Sequence, residues 1–260
     1  MMLCRFFQVV VAPMVLLLPI SVWAAHPLIT DDTGTQGKGK FQFEVNGQYD
    51  TDKETVNDVY VKTTGGQAAA SLSFGVIDGV DLIVGLPYLW SKVKEDGVVT
   101  YNDQGFSDTT LDVKWRVFEK DGISLGVKQG FSFPTGRDTR GLGSGKIGSH
   151  SFIILSEERG PMAFHLNLGY IWNNNTLDER VELWHASFAT TYELVKGLKL
   201  AGNIGIQRNP DKTTNNDPAY VLGGVIYSPV ENFDIDFGVK YGLTKSETDL
   251  SYLAGITVRF

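Results

Sequence analysis

Cysteine is almost absent from this chain. Of 260 residues only Cys4 is a cysteine, and it lies in the extreme N-terminal segment. Disulfide stapling is excluded, so the fold must hold by packing and backbone hydrogen bonds. Positive charge is scarce too: 23 Lys and Arg against 30 Asp and Glu leave a net of −7. No basic footprint for nucleic acid exists. Beyond the first 25 residues there is no long apolar run, and at a mean hydropathy of −0.07 a polytopic helical membrane protein is excluded. Disorder is excluded by 42% hydrophobic and 12% aromatic residues. Composition alone therefore describes an ordinary soluble protein.

Residues 1–25 read as a secretory signal peptide. Arg5 supplies the positive n-region, Val9 to Ile20 the apolar stretch, and Val22 and Ala24 the positions before cleavage. Pro13 and Pro19 interrupt a stretch already too short to span a bilayer. Cys4 precedes that stretch, in the wrong place for lipid attachment. Removal of the segment takes away Arg5 and Cys4, leaving 22 basic against 30 acidic side chains, a net of −8, and no cysteine.

From Lys40 onward the pattern alternates with period two. Phe41, Phe43, Val45 and Tyr49 interleave with Gln42, Glu44, Gln48 and Asp50, and Phe233, Ile235, Phe237 and Val239 with Asp234, Asp236 and Lys240. Twelve strands are predicted, at 40–50, 64–76, 80–91, 108–118, 122–134, 148–156, 162–172, 181–192, 198–207, 219–228, 233–243 and 251–260. Most have about ten residues, the length of a tilted strand crossing a bilayer. Short connections at 78–79, 119–121, 157–161, 193–197 and 229–232 alternate with mostly longer polar ones at 51–63, 92–107, 135–147, 173–180, 208–218 and 244–250. The pattern predicts an all-β fold, a transmembrane antiparallel up-and-down barrel with short periplasmic turns and longer extracellular loops. Residues 26–39 become a periplasmic or plug-like segment and 40–260 the outer-membrane barrel.

Aromatics collect at strand ends. Tyr49, Tyr88, Trp90, Phe131, Phe133, Tyr170, Trp172, Trp184, Tyr241 and Tyr252 fall at the outer edge, and Phe41, Trp115, Phe118, Phe164, Tyr192, Tyr227, Phe233 and Phe260 at the inner one. Two amphipathic girdles around an apolar band are expected. The opposite face carries Glu44, Asp112, Lys114, Arg116, Lys128, Asp234, Asp236, Lys240 and Arg259. Each ion left unpaired in a dry core would cost several kcal/mol, which a lumen avoids. Lys114, Arg116 and Lys128 are expected to form a basic lumen patch governing ion selectivity. Asp234 or Asp236 should meet Arg259 in the last hairpin. Expected partners are outer-membrane lipids and lipopolysaccharide, the barrel-assembly machinery and a small-molecule solute. No cofactor is implied, and outward Gln129 hints at a contact surface without fixing an oligomeric state.

The last strand places Tyr252, Ala254, Ile256, Val258 and Phe260 on one face. A terminal Phe after alternating apolar positions resembles the signal read by the barrel-assembly machinery. The sequence also resembles the outer-membrane family named for the MetA pathway of phenol degradation. The resemblance rests on residues 26–35 (HPLITDDTGT) with Gly37 and Gly39, on Phe133-Pro-Thr-Gly136, on Gly141 to Gly145, and on Ile256-Thr-Val-Arg-Phe260. It implies a transporter-like barrel for passive uptake of small molecules, hydrophobic or aromatic compounds among them, and supplies no catalytic residues.

A second reading attaches to His185 and Ser187, which share a strand face, with Asn203 brought opposite Ser187 by the 193–197 turn. This set resembles that of outer-membrane phospholipase A, with His185 as base, Ser187 as nucleophile and Asn203 orienting the imidazole. Trp184, Ala186 and Phe188 make the lipid face, so His185 and Ser187 should point into the lumen, and polar lining is the favoured role. A structural or adhesion barrel without transport is the third reading. The run ending Gly145-Lys146 fails as a phosphate loop because Arg140 and Ile147 occupy required positions. Asp31-Asp32-Thr33-Gly34 lacks further acids at calcium-loop spacing. His150 and His165 sit on separate strands without a second metal ligand. No metal site is expected.

Overall fold

The computed structural model describes residues 26–56 and 58–260, so the expected signal peptide lies outside the described residues. The strands are β1 (Phe41–Val56), β2 (Val59–Ile77), β3 (Val80–Glu95), β4 (Val98–Phe106), β5 (Thr109–Lys120), β6 (Ile123–Phe133), β7 (Gly148–Arg159), β8 (Met162–Trp172), β9 (Glu182–Val195), β10 (Leu198–Gln207), β11 (Ala219–Val230), β12 (Phe233–Gly242) and β13 (Leu250–Arg259). Twelve of them close an antiparallel barrel in chain order, and β4 lies along the upper part of β3. The seam pairs β1 with β13 from Gln42↔Arg259 to Thr51↔Leu250. Below it, Phe41 and Phe260 exchange backbone hydrogen bonds of 2.7 and 2.9 Å. Closure leaves no sheet edge in the lipid, which is what a spanning β structure requires.

The extra strand corrects the expected loop at 92–107. β3 runs to Glu95, turns at Asp96-Gly97 with φ of 45° and 84°, and returns as β4. Positive φ at both central residues is the hairpin turn whose twist matches the flanking strands. The Asp-Gly signal was in the sequence, but Lys92–Glu95 and Thr100–Gln104 are mostly polar, with only the opposed Val93 and Tyr101 to suggest an apolar face. A hairpin standing above the hydrocarbon layer meets polar surroundings on both faces, which removes the selection for alternation. β1 and β2 likewise extend past their expected ends into this upright sheet.

Among the described residues no helix is long and apolar enough to cross a membrane. The strands are the crossing elements, and adjacent residues show their division: Ile153 is 55% exposed on the outer wall, whereas Ile154 is fully buried inside. Tyr49, Trp172, Trp184 and Tyr241 stand exposed at the upper end of that wall, and Trp115, Phe118, Tyr192 and Tyr227 at the lower end.

Candidate functional site

Residues 26–39 lie inside the barrel as a strap across its wall. His26 Nδ1 contacts the Asp236 carboxylate on β12. Pro27 packs where Gly224 and Gly238 leave room, since a Cβ on Gly238 would sit 2.8 Å from Pro27 Cβ. The Asn203 side chain on β10 accepts the Ile29 and Thr30 N–H groups at 2.7 and 3.0 Å and donates to Thr30 Oγ1 at 2.7 Å. Asn167 on β8 accepts the Asp31 N–H at 2.7 Å and donates to the Asp31 carbonyl at 2.8 Å. Thr33 donates its N–H to Ser156 Oγ at 3.2 Å and shares a hydrogen bond with Ser124 Oγ at 2.5 Å. Gln36 N–H reaches the Asp81 carboxylate at 3.0 and 3.1 Å. Five backbone N–H groups and one carbonyl of a segment without secondary structure are thus satisfied by wall side chains, which is what burial demands.

Charge fixes the centre of the strap. Lys114 and Lys128 are direct cross-strand partners on β5 and β6, an arrangement that is destabilising without an anion. Asp31 supplies one, receiving Lys114 Nζ at 2.9 Å and Lys128 Nζ at 2.7 Å, with Asp32 at 3.2 Å from Lys114. The expected free basic patch is therefore neutralised, and Arg116 does not join it: its Nε pairs with Glu119 at 3.2 Å. Other inward charges have wall partners of their own, ionic for Arg259 and Lys240 and neutral amides for Glu44. Arg259 meets Asp234 at 2.5 Å, Lys240 meets Glu247 at 2.8 Å, and Glu44 is held by Gln42 and Asn46. Asp236 serves the strap rather than Arg259.

Above the strap, a cavity of about 100 Å³ opens beneath the outer loops. Pro87, Leu89, Ile171 and Leu183 give it apolar surface, and Gln67, Thr110, His150, Glu179 and Gln207 give it polar groups. Asp112 and His150 approach to 2.7 Å across Gly130, where any Cβ would strike both side chains. Beside them the Phe152 ring packs edge-on against His150 at 5.9 Å and His185 at 5.6 Å, with Lys128 Nζ 5.5 Å from its centroid. Phe152, Ile154, Ile171 and Leu183 form one buried apolar cluster. Sequence reading missed this inward apolar patch. Its signal was the unbroken Phe152-Ile153-Ile154-Leu155 run, apolar on both faces.

Asp108 was missed as well. Its carboxylate accepts Gly136 N–H at 3.0 Å, Ser144 N–H at 2.8 Å and Ser144 Oγ–H at 2.6 Å, folding the 134–147 loop onto the wall. The glycine-rich stretch thus spends its donors on a carboxylate of its own chain. Outside, Gln129 accepts from the opposing Ser151 Oγ at 2.5 Å, so that polar position is satisfied locally.

His185 Nε2 and Ser187 Oγ are 2.9 Å apart and buried on the lumen side. The expected third member is displaced. β9 and β10 turn tightly at Lys196-Gly197, pairing Val195 with Leu198, and this sets Gly205 opposite Ser187 and Gln207 opposite His185. Asn203 instead faces Ala189 and is committed to the strap. A turn three residues shorter than expected would shift partners by three positions, and the register shift between Leu198 and Lys199 takes one of them back, leaving a two-position shift that preserves faces.

An apolar outer wall with aromatic edges around a polar, strap-bearing lumen defines an outer-membrane β-barrel with the fold of channel proteins. The chain belongs to the family described as "Putative MetA-pathway of phenol degradation", whose model matches residues 30–260. Among solved structures it is similar to an outer-membrane channel from Pseudomonas putida F1, with TM-score 0.69, 16% identity, and coverage of 88% of this chain and 98% of that one. The NanC porin has TM-score 0.55 at 11% identity, covering 83% and 98%. The Ralstonia pickettii toluene transporter TbuX has TM-score 0.53 at 8% identity, covering 86% and 90%. No curated protein matches the sequence.

Proposed function

We propose that this barrel is an outer-membrane channel for passive uptake of small molecules, with hydrophobic or single-ring aromatic compounds as the preferred solutes. The observation that carries the reading is the mainly apolar cavity above the strap, to which Leu89, Ile171 and Leu183 contribute. Burying about 100 Å² of apolar ring surface there yields roughly 2.5 kcal/mol. That concentrates a solute without trapping it, as passage requires. Membership of a family named for phenol degradation and the fold shared with a toluene transporter support the same class. The inward charges hold the strap and shape the path: Lys114 and Lys128 through Asp31, Asp236 through His26. Glu44, Asp112, Arg116, Asp234, Lys240 and Arg259 form wall pairs that set the lumen's polarity. Tyr252, Ile256, Val258 and Phe260 on the sealing strand serve recognition by the barrel-assembly machinery.

The protein is proposed to be no enzyme. Ser187 has His185 at 2.9 Å, but Asn203 holds the strap and the pair faces away from lipid. The deciding experiment is liposome swelling with purified barrel across small aromatic and polar solutes. Leu183→Asn should slow aromatic entry several-fold while leaving polar solutes unchanged. Equal rates in wild type and variant, or no swelling with any solute, would defeat the proposal.

A further inference from the structure

The upright sheet formed by the outer parts of β1, β2, β3 and β4 separates charge by face. Alternation turns Asp50, Asp52, Glu54 and Glu95 toward the lumen side and Lys53, Lys62, Lys92 and Lys94 outward. The register puts Lys53 opposite Lys62 and Lys62 opposite Lys94, so three ammonium groups occupy one rung on adjacent strands. Lys92 follows one rung below, opposite Thr64. Among the described residues none of the four lysines makes an ion pair. Asp249 lies nearest, and its Oδ2 accepts the Lys53 backbone N–H at 3.0 Å.

Directly opposed like charges are destabilising, and surfaces that serve only solubility intersperse both signs. This chain opposes lysines in a second place, Lys114 and Lys128, and there it provides Asp31 between them. On the outer rung no side chain among the described residues provides the corresponding anion. Height identifies its source. One rung below Lys92 on the same outward face lies Trp90, in line with Tyr49 through Gly66. Such aromatics mark the bilayer interface. At two residues per rung, the lysines begin about 7 Å farther along the strand and reach about 14 Å. Headgroup phosphates of the outer leaflet lie at that level.

We infer that Lys53, Lys62, Lys92 and Lys94 form a binding site on the outer wall for the phosphate groups of a phosphorylated outer-leaflet glycolipid of the lipopolysaccharide class. The barrel thereby carries a fixed lipid on the β1–β3 side, which sets its depth and screens the repulsion within the lysine rung.

The test is binding of purified, folded barrel to fluorescent lipopolysaccharide in mixed micelles, with dephosphorylated lipopolysaccharide and inorganic phosphate as further arms. A basic side chain near an anionic lipid surface contributes about five-fold in affinity. Lys62→Gln should therefore weaken binding about five-fold, and Lys53→Gln/Lys62→Gln/Lys94→Gln on the order of a hundredfold. The triple Arg variant should retain binding, and the dephosphorylated lipid should bind wild type and Gln variants alike. If the triple Gln variant does not fold, Lys62→Gln alone carries the comparison. Unchanged affinity in the Gln variants would overturn the assignment. So would displacement of the lipid by millimolar inorganic phosphate, which would mark a site for the free ion.

Discussion

Lys128 and Asp31 meet at 2.7 Å, with side chains 0% and 1% exposed, across 97 residues of sequence. This contact ties an unstructured N-terminal strap to the barrel wall at the point where two opposed lysines would otherwise repel. Breaking one side of such a buried pair costs roughly 3–5 kcal/mol. Asp31→Asn should therefore loosen residues 26–39, raising planar-bilayer conductance and the rate of proteolysis within the strap. Asp31→Asn/Lys128→Met, which leaves Lys114 with Asp32, should recover part of the closed behaviour. Wild-type conductance in the single variant would remove the strap from the conduction path.

Asn167 and Asn203 hold the strap by neutral hydrogen bonds. Leaving buried strap N–H groups unsatisfied costs about 1–3 kcal/mol. Asn203→Ala is expected to raise strap proteolysis less than Asp31→Asn does, with the barrel still migrating as folded on unheated gels. Equal protection in wild type and Asn203→Ala would contradict the hydrogen-bonded course described above.

Gly130 leaves the space in which Asp112 meets His150, whereas a Cβ on Gly223 would have no atom within 4 Å. Gly130→Ala should lower stability by about 1–3 kcal/mol through overpacking, seen as a reduced urea midpoint. Gly223→Ala, on the same barrel, should leave the midpoint unchanged. Identical midpoints for the two variants would show that the Asp112–His150 bridge is dispensable.

Ser187→Ala removes the hydroxyl contacted by His185. Solute entry should be unaffected, and neither protein should release fatty acid from phospholipid vesicles. Hydrolysis by wild type that disappears in Ser187→Ala would restore the enzymatic reading.

Glu179 lies in an outer loop at the cavity rim, where burial raises its carboxyl above the ordinary glutamate value despite the hydrogen bond from Asn173 at 3.0 Å. It remains neutral to higher pH than an exposed glutamate. Cation preference in bilayer recordings should accordingly grow as pH rises from the usual carboxylate range toward neutrality, with Glu179→Gln abolishing the change. A pH response unaltered by Glu179→Gln would locate the titrating group elsewhere.

Much of this barrel is legible in its amino-acid sequence. Val45 and Glu44, or Ile235 and Asp236, declare opposite faces because successive side chains on a strand point to opposite sides. The aromatic ends and the alternation of short and long connections follow from the bilayer's thickness and from water on either side. The β3–β4 hairpin escaped because both its faces meet polar surroundings, and the inward Phe152 cluster because both faces of its strand are apolar. Asn203 was placed on the correct face and against the wrong partner, since turn length sets register and is the least visible quantity in the sequence.

Which side of the wall each residue occupies follows from local backbone geometry, repeated strand after strand and readable from alternation alone. Which lumen groups meet depends on the closed barrel. Asp31 lies 83 residues from Lys114 and 136 from Asn167, so their convergence depends on closing the sheet and on the shear between its strands. No pattern within one segment encodes that closure, and with it came the conversion of a supposed basic patch into the anchor of a strap.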